Sequence, residues 1–210
     1  MKKVTIIDYG MSNLLSISRA IEKLGTEVIV TADADEIAIA DQLILPGVGS
    51  FYEGMGELVK RNIPEAIHKF ISTGKPFLGI CLGMQMMLGE GTEVNQTKGL
   101  DIIPGKVLPL PEKNKEGIPN KIPHIGWSSV NYNSQKSSSI LENFKNSFYM
   151  YFVHSYYALP DLSIHSAAVT DFNDMTFTCI INKDNAWGTQ FHPEKSGEQG
   201  LELLKSFINL

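Results

Sequence analysis

Only two cysteines, Cys81 and Cys179, stand in the 210 residues. Two are too few for a disulfide framework, so the fold must be held by a buried core. No apolar run approaches the roughly 20 residues needed to cross a bilayer, which excludes a transmembrane helix. The opening Met1-Lys2-Lys3-Val4-Thr5-Ile6-Ile7-Asp8 meets an acid after a short apolar stretch and reads as a first strand, not a signal peptide. A cytoplasmic protein without membrane contact is expected. Basic charge is not in excess either: the formal net charge is −5, which gives no electrostatic reason to expect nucleic acid. There is no H-E-x-x-H and no C-x-x-C pair, so a zinc site has no anchor in the sequence.

What is present is a chain that is 43% hydrophobic and long enough to bury one sizeable core. The N-terminal half alternates strand and helix signals. Val4 to Ile7, Val28 to Val30, Leu43 to Leu45 and Phe77 to Ile80 are short β runs. Between the first two, a helix from about Ser12 to Leu24 carries Leu14, Ile17, Ile21 and Leu24 at helical spacing, with Gly25 as its stop. Between the last two, Pro64 to Gly74 carries Ile67, Phe70 and Ile71 on one helical face. In the second half, Lys106 to Leu108, Tyr149 to Val153, Ser166 to Thr170 and Phe177 to Ile181 suggest antiparallel hairpins. Ser196 with Gln199 three positions on resembles a capping box for a last helix packed by Leu201, Leu204 and Ile208. Pro111 to Lys121 and Asn131 to Ser139 read as loops. The expected fold class is α/β: a doubly wound, mostly parallel sheet with helices on both faces and added antiparallel strands in the C-terminal half. No repeat or linker divides it, so residues 1–210 are expected to form a single domain.

Cys81 stands in Gly79-Ile80-Cys81-Leu82-Gly83-Met84-Gln85, where an apolar run ends and Met84, Met86, Met87 and Leu88 suit an amphipathic helix. Glycine, any residue, nucleophile, any residue, glycine is the pattern of a strained strand-to-helix turn that presents a nucleophile. A helix N-terminus behind Cys81 would favour the thiolate. A lone cysteine would be better read as a small buried residue, and so is Cys179 in its β run. Two further segments change the balance for Cys81. His192 and Glu194, in Gly188-Thr189-Gln190-Phe191-His192-Pro193-Glu194-Lys195-Ser196, supply an imidazole base and a carboxylate two residues away, on the same side of an extended chain. Leu43-Ile44-Leu45-Pro46-Gly47-Val48-Gly49-Ser50 is a strand breaking into a glycine-rich turn, and its Pro46-Gly47-Val48-Gly49 matches neither G-x-x-x-x-G-K-[ST] nor G-x-G-x-x-G. In a doubly wound sheet such a turn lies beside the elbow, where backbone N–H groups could hold an oxyanion.

These segments resemble the class I (triad-type) glutamine amidotransferases. Asp8 to Leu14, Pro46 to Phe51, Gly79 to Gln85, Pro123-His124-Ile125-Gly126-Trp127, Tyr151 to Tyr156 and Gln190 to Ser196 match in order across nearly the whole chain. The first, fourth and fifth of them point within that family to the glutaminase subunits of imidazole glycerol phosphate synthase. The resemblance implies a Cys81, His192, Glu194 triad and an oxyanion hole from the backbone of Val48, Gly49 and Leu82. Glutamine would be held by Gly47, Gln85, Ser155 and Tyr156. It implies no metal and no cofactor. It implies a heterodimer with a (β/α)₈-barrel cyclase that makes imidazole glycerol phosphate and AICAR from PRFAR, with Trp127, Tyr151 and Lys195 at the interface.

Two positions depart from the family pattern. Ser128 stands where Asn is usual, and Leu108-Pro109-Leu110 stands where an Arg-Phe pair is common. They leave open a paralogous glutaminase serving another synthase, such as a surface-sugar amidating enzyme. A non-enzymatic relative is disfavoured because all three triad residues are present.

Overall fold

The computed structural model describes residues 3–132, 139–144 and 147–210. The elements in chain order are β1 (Lys3–Ile7), α1 (Leu14–Lys23), β2 (Glu27–Thr31), α2 (Ala34–Ile39), β3 (Gln42–Leu45), α3 (Phe51–Lys60), α4 (Ile63–Ser72), β4 (Phe77–Ile80) and α5 (Leu82–Met86). They continue with β5 (Leu88–Gly91), β6 (Thr97–Lys98), β7 (Ile103–Pro109), β8 (His124–Asn131), β9 (Ser147–His154), β10 (Tyr156–Pro160), β11 (Ser166–Phe172), β12 (Met175–Lys183), β13 (Ala186–Thr189) and α6 (Gly197–Ile208).

Strands β2, β1, β3, β4 and β13 lie side by side in parallel, which is the expected doubly wound core. From β13 outward the sheet continues through the antiparallel pairs β13–β12, β12–β10 and β10–β7, and β8, β9 and β11 attach at β12. The expected fold class therefore stands. The pleat explains why helices cover both faces. Val4, Ile6, Ile44, Leu78 and Ile80 point to one side and pack with Ile17 and Ile21 of α1 and Leu203, Leu204 and Phe207 of α6. Their neighbours Ile7, Leu43, Leu45 and Phe77 point to the other and meet α2, α3, α4 and α5. Both faces are buried, so these strands read as continuous apolar runs.

Element ends follow local chemistry. Asn13 accepts from Ser16 N–H at the start of α1, one residue inside the expected boundary, and Gly25 follows its end at φ 79°. Three expectations need correction. The segment after Cys81 is a five-residue helix with every residue buried, and Leu88 belongs to β5, so it is not amphipathic. Its brevity also removes most of the dipole expected behind the thiol. Ser196 and Gln199 form no capping box. Ser196 Oγ accepts from Tyr151 N–H at 3.0 Å and Gln199 Oε1 accepts from Tyr149 N–H at 2.9 Å, so both side chains satisfy the free edge of β9 instead. Of the expected loop Asn131 to Ser139, positions 133–138 lie outside the described residues, and Asn131 itself closes β8. Among the described residues no helix is long and apolar enough to cross a membrane.

Candidate functional site

The site forms where three parallel strands end together. Thr189 of β13 is level with Ile80 of β4, and Leu45 of β3 with Gly79. The chain leaving each strand therefore emerges at one edge: Cys81 from β4, Pro46-Gly47-Val48-Gly49 from β3, and Gln190 to Glu194 from β13. Ligands of open α/β sheets bind at this carboxyl edge.

Cys81 has φ 54°, in the left-handed region disfavoured for any residue with a Cβ. Its N–H donates to Thr189 O at 2.7 Å and its carbonyl accepts from Gln85 N–H at 3.1 Å, so the strain is held from both sides. The flanking glycines are required sterically. A Cβ on Gly83 would stand 1.8 Å from Leu45 O, and one on Gly79 would stand 2.8 Å from the Gly83 carbonyl carbon. The elbow is thus clamped against β3 with no room for a methyl group.

His192 Nδ1 lies 2.8 Å from Glu194 Oε1, and the two side chains are only 3% and 5% exposed. The backbone of His192 is fixed as well: its N–H donates to Tyr151 O at 3.0 Å and its carbonyl accepts from Ser196 Oγ at 2.6 Å. Nδ1 is taken by the carboxylate, which leaves Nε2 for the thiol. Nε2 is buried and makes no well-formed hydrogen bond. Burial opposes a charge on this ring, but the interactions with the Cys81 sulfur and with Glu194 outweigh it and raise the pKa to about 10. An imidazole held this way, with Nδ1 on a carboxylate and Nε2 left over, is placed to exchange a proton with a neighbouring nucleophile.

Cys81, Leu82, Val48, Gly49, Gln85, Ser155, Tyr156, His192 and Lys195 line one cleft of about 400 Å³. The structure thus gathers most of the residues singled out from sequence. Gly47 is an exception. It borders a small cavity with Asn13, Ile17 and Glu194, and a Cβ there would stand 2.3 Å from the Tyr9 hydroxyl, so a glycine is required for the turn to pack on Tyr9. Trp127 and Tyr151 also lie off the cleft. They pair across β8 and β9 with ring centroids 6.1 Å apart, and Trp127 is 56% exposed.

Of the oxyanion donors, Val48 needs a correction for the state described. Its N–H donates to Met11 O at 2.9 Å and is unavailable to an oxyanion. Sequence reasoning gave no role to Glu93, which lines the cleft and accepts from Phe51 N–H at 2.6 Å, or to Tyr9 beneath the turn. Burial and the neighbouring Cys81 push the Tyr9 phenol far up, so it stays protonated, and its hydroxyl has no hydrogen-bond partner. Glu93 sits at no motif spacing that could have marked it, whereas Tyr9 stands within the Asp8 to Leu14 segment and was read only as part of it. Gln190, read only as part of the histidine segment, places its Nε2 3.9 Å from Cys81 Sγ and takes a hydrogen bond from Gln85 Nε2 at 3.1 Å.

The profile of the glutamine amidotransferase class-I family matches residues 5–210. Among curated proteins, the imidazole glycerol phosphate synthase subunit HisH 1 of Legionella pneumophila strain Paris is 43% identical, covering 100% of both chains. The HisH subunits of Caldanaerobacter subterraneus subsp. tengcongensis and Chlorobaculum tepidum are each 45% identical over 97% of this chain and 96% and 98% of theirs. Among solved structures, PurLQS from Thermotoga maritima superposes with a TM-score of 0.73 at 20% identity, over 100% of this chain and 99% of that one. A glutamine amidotransferase from Thermotoga maritima gives 0.65 at 17%, over 99% and 81%. These last two speak to the fold alone.

Proposed function

The chain is an enzyme of the class-I glutamine amidotransferase family, and from that premise we propose that its 210 residues act as one glutaminase domain with Cys81, His192 and Glu194 as the triad. The chain is the glutaminase subunit of an imidazole glycerol phosphate synthase, in keeping with its full-length similarity to HisH subunits. The observation that carries the chemistry is the strained Cys81 elbow beside a buried His192–Glu194 pair.

The Cys81 thiolate attacks the side-chain carbonyl carbon of glutamine, forming a C–S bond. Leu82 and Gly49 N–H groups receive the developing negative oxygen. His192 gives its proton to the departing nitrogen, ammonia leaves and a thioester remains. The same histidine then takes a proton from water, hydroxide adds to the thioester, and glutamate leaves with Cys81 restored. Glu194 keeps the imidazole oriented through Nδ1. Ser155, Tyr156 and Gln85 border the cleft where the α-amino and α-carboxylate groups of glutamine would rest.

Ammonia released into water at neutral pH is protonated and unreactive, so the product must pass directly to an acceptor. The partner is a (β/α)₈-barrel cyclase that converts PRFAR to imidazole glycerol phosphate and AICAR, docked on the face that carries Trp127, Tyr151 and Lys195. Coupling of the two sites is supported by the Val48 N–H, which is held by Met11 O. Turning that peptide toward Cys81 would complete the oxyanion hole, a donor typically contributing about 3 kcal/mol to the transition state. Ser128 does not favour another synthase, since its Oγ lies 2.8 Å from His124 Nε2, a contact made within the chain. Glutamate release by the chain alone, and with the cyclase and PRFAR, tests the reading. We expect about 100-fold stimulation, near 2.7 kcal/mol of barrier. Equal rates would remove the coupling, and stimulation only by an unrelated synthase would change the pathway.

A further inference from the structure

A polar chain runs from the aromatic packing to the wall of the cleft, which His154 itself lines. His124 of β8 faces His154 of β9 across the ladder, and His124 Nδ1 lies 3.0 Å from His154 Nε2. His124 Nε2 lies 2.8 Å from Ser128 Oγ, and His154 Nδ1 lies 2.8 Å from Tyr156 O. Both rings are buried, against Phe152, Phe172 and Phe177.

The direction of every proton follows from the far end. A carbonyl only accepts, so His154 Nδ1 carries hydrogen. Burial lowers the pKa of His124 and takes that of His154 to about 3, so both rings are neutral at pH 7. Nε2 of His154 then accepts, which requires hydrogen on His124 Nδ1. Nε2 of His124 accepts in turn, which requires Ser128 to donate. Both imidazoles are therefore Nδ1–H tautomers, set by their partners.

Tyr156 O, where the chain ends, also accepts from Gln85 Nε2 at 3.0 Å. Gln85 continues to Gln190 Oε1 at 3.1 Å, and Gln190 Nε2 stands 3.9 Å from Cys81 Sγ. One carbonyl thus joins the histidine pair to the amides beside the nucleophile. Ser155 and Tyr156 themselves line the cleft.

We infer that Ser128, His124 and His154 are positioning residues that hold the Ser155–Tyr156 corner of the glutamine cleft and, through the Tyr156 carbonyl, the Gln85–Gln190 pair at Cys81. The inference rests on the reading of that cleft as the glutamine site. It also assigns position 128 a chemical requirement, a hydrogen-bond donor. Asn meets it through Nδ2, so Ser128 preserves the function of the Asn usual there.

Two readouts test it. Two-bond ¹H–¹⁵N correlation spectra of the labelled full chain at pH 7 should give Nδ1–H tautomers for His124 and His154. An Nε2–H tautomer at either would overturn the chain. In the complex with the cyclase, Ser128→Ala should raise KM for glutamine about threefold to tenfold with kcat little changed, the scale of one lost hydrogen bond, and Ser128→Asn should restore it. His154→Phe should raise KM further. Ser128 is only half-buried, so its two variants decide the question even where His154→Phe does not fold. A wild-type KM in Ser128→Ala would refute the positioning role. If the unsubstituted complex fails to hydrolyse glutamine, the cleft assignment falls, and the tautomers still decide the histidine chain.

Discussion

The elbow side of the cleft and the turn side are built in opposite ways. At the elbow, Cys81 and His192 are buried, their backbones are bonded on both sides, and the flanking glycines touch neighbouring backbone. At the turn, Val48 is 40% exposed and its N–H is bonded to Met11 O, away from the sulfur. The proposed nucleophile and base are held in place, whereas the proposed oxyanion donor Val48 is turned elsewhere. A glutaminase assembled this way has its covalent machinery ready and withholds the electrostatic stabilisation that makes the step fast.

Removal of the nucleophile has the largest expected effect. Cys81→Ala should lower glutamine-dependent activity of the complex by at least about 10⁴-fold, while the cyclase still turns over with added ammonium salt. Retained glutamine hydrolysis would transfer the chemistry elsewhere and erase the contrast.

Two glycine substitutions probe the same contrast through stability. Gly83→Ala forces a methyl group into Leu45 O and should cost several kcal/mol, of order 3 or more, by urea denaturation. Gly49→Ala meets only the flexible Met11 Cε, and its strain at φ 101° should cost about 1–2 kcal/mol while still reducing glutamate release. Equal destabilisation by both would mean that the turn is as rigid as the elbow.

Within the elbow side, the base should outweigh its orienter. His192→Ala is expected to lose about 10³-fold in kcat and Glu194→Gln about 10- to 100-fold, because the carboxylate aligns the ring and does not take the proton. A silent Glu194→Gln would assign the buried Nδ1 contact to packing alone.

A comparable effect is expected on stability against pH. His154 has a folded pKa of about 3 against an ordinary value of 6.5, so its contribution is fully present above pH 6.5 and is lost as pH falls toward 3. Between pH 7 and pH 5 that loss is about 2 kcal/mol. Its neighbours His124 and His192 also titrate, so the measurement is the difference between the protein and His154→Asn in urea unfolding at the two pH values. No difference would place the imidazole in contact with water.

Much of this was legible in the residues. The β runs and the helices ending at Gly25 and Gly74 stated an α/β core, since alternation and punctuation are local properties. Cys81, His192 and Glu194 were legible because a strained elbow needs flanking glycines and an imidazole needs its carboxylate two residues on in extended chain. Ser196 and Gln199 misled, since the same side chains that could cap α6 reach the N–H groups of β9, a strand about fifty residues away in sequence.

The sequence alone therefore determined the family and the candidate residues: its periodicity specifies which faces are buried, and its motifs specify which side chains the proposed chemistry rests on. The tertiary structure alone decided where each backbone group is spent. Position 47 requires a glycine because β1 brings Tyr9 against it, and Val48 donates to Met11 because the loop after β1 passes beside the turn after β3. The tautomers of His124 and His154 follow from a carbonyl on the next strand. Such choices arise from distant segments meeting, and no local pattern carries them, because a backbone N–H is the same donor in every residue that has one.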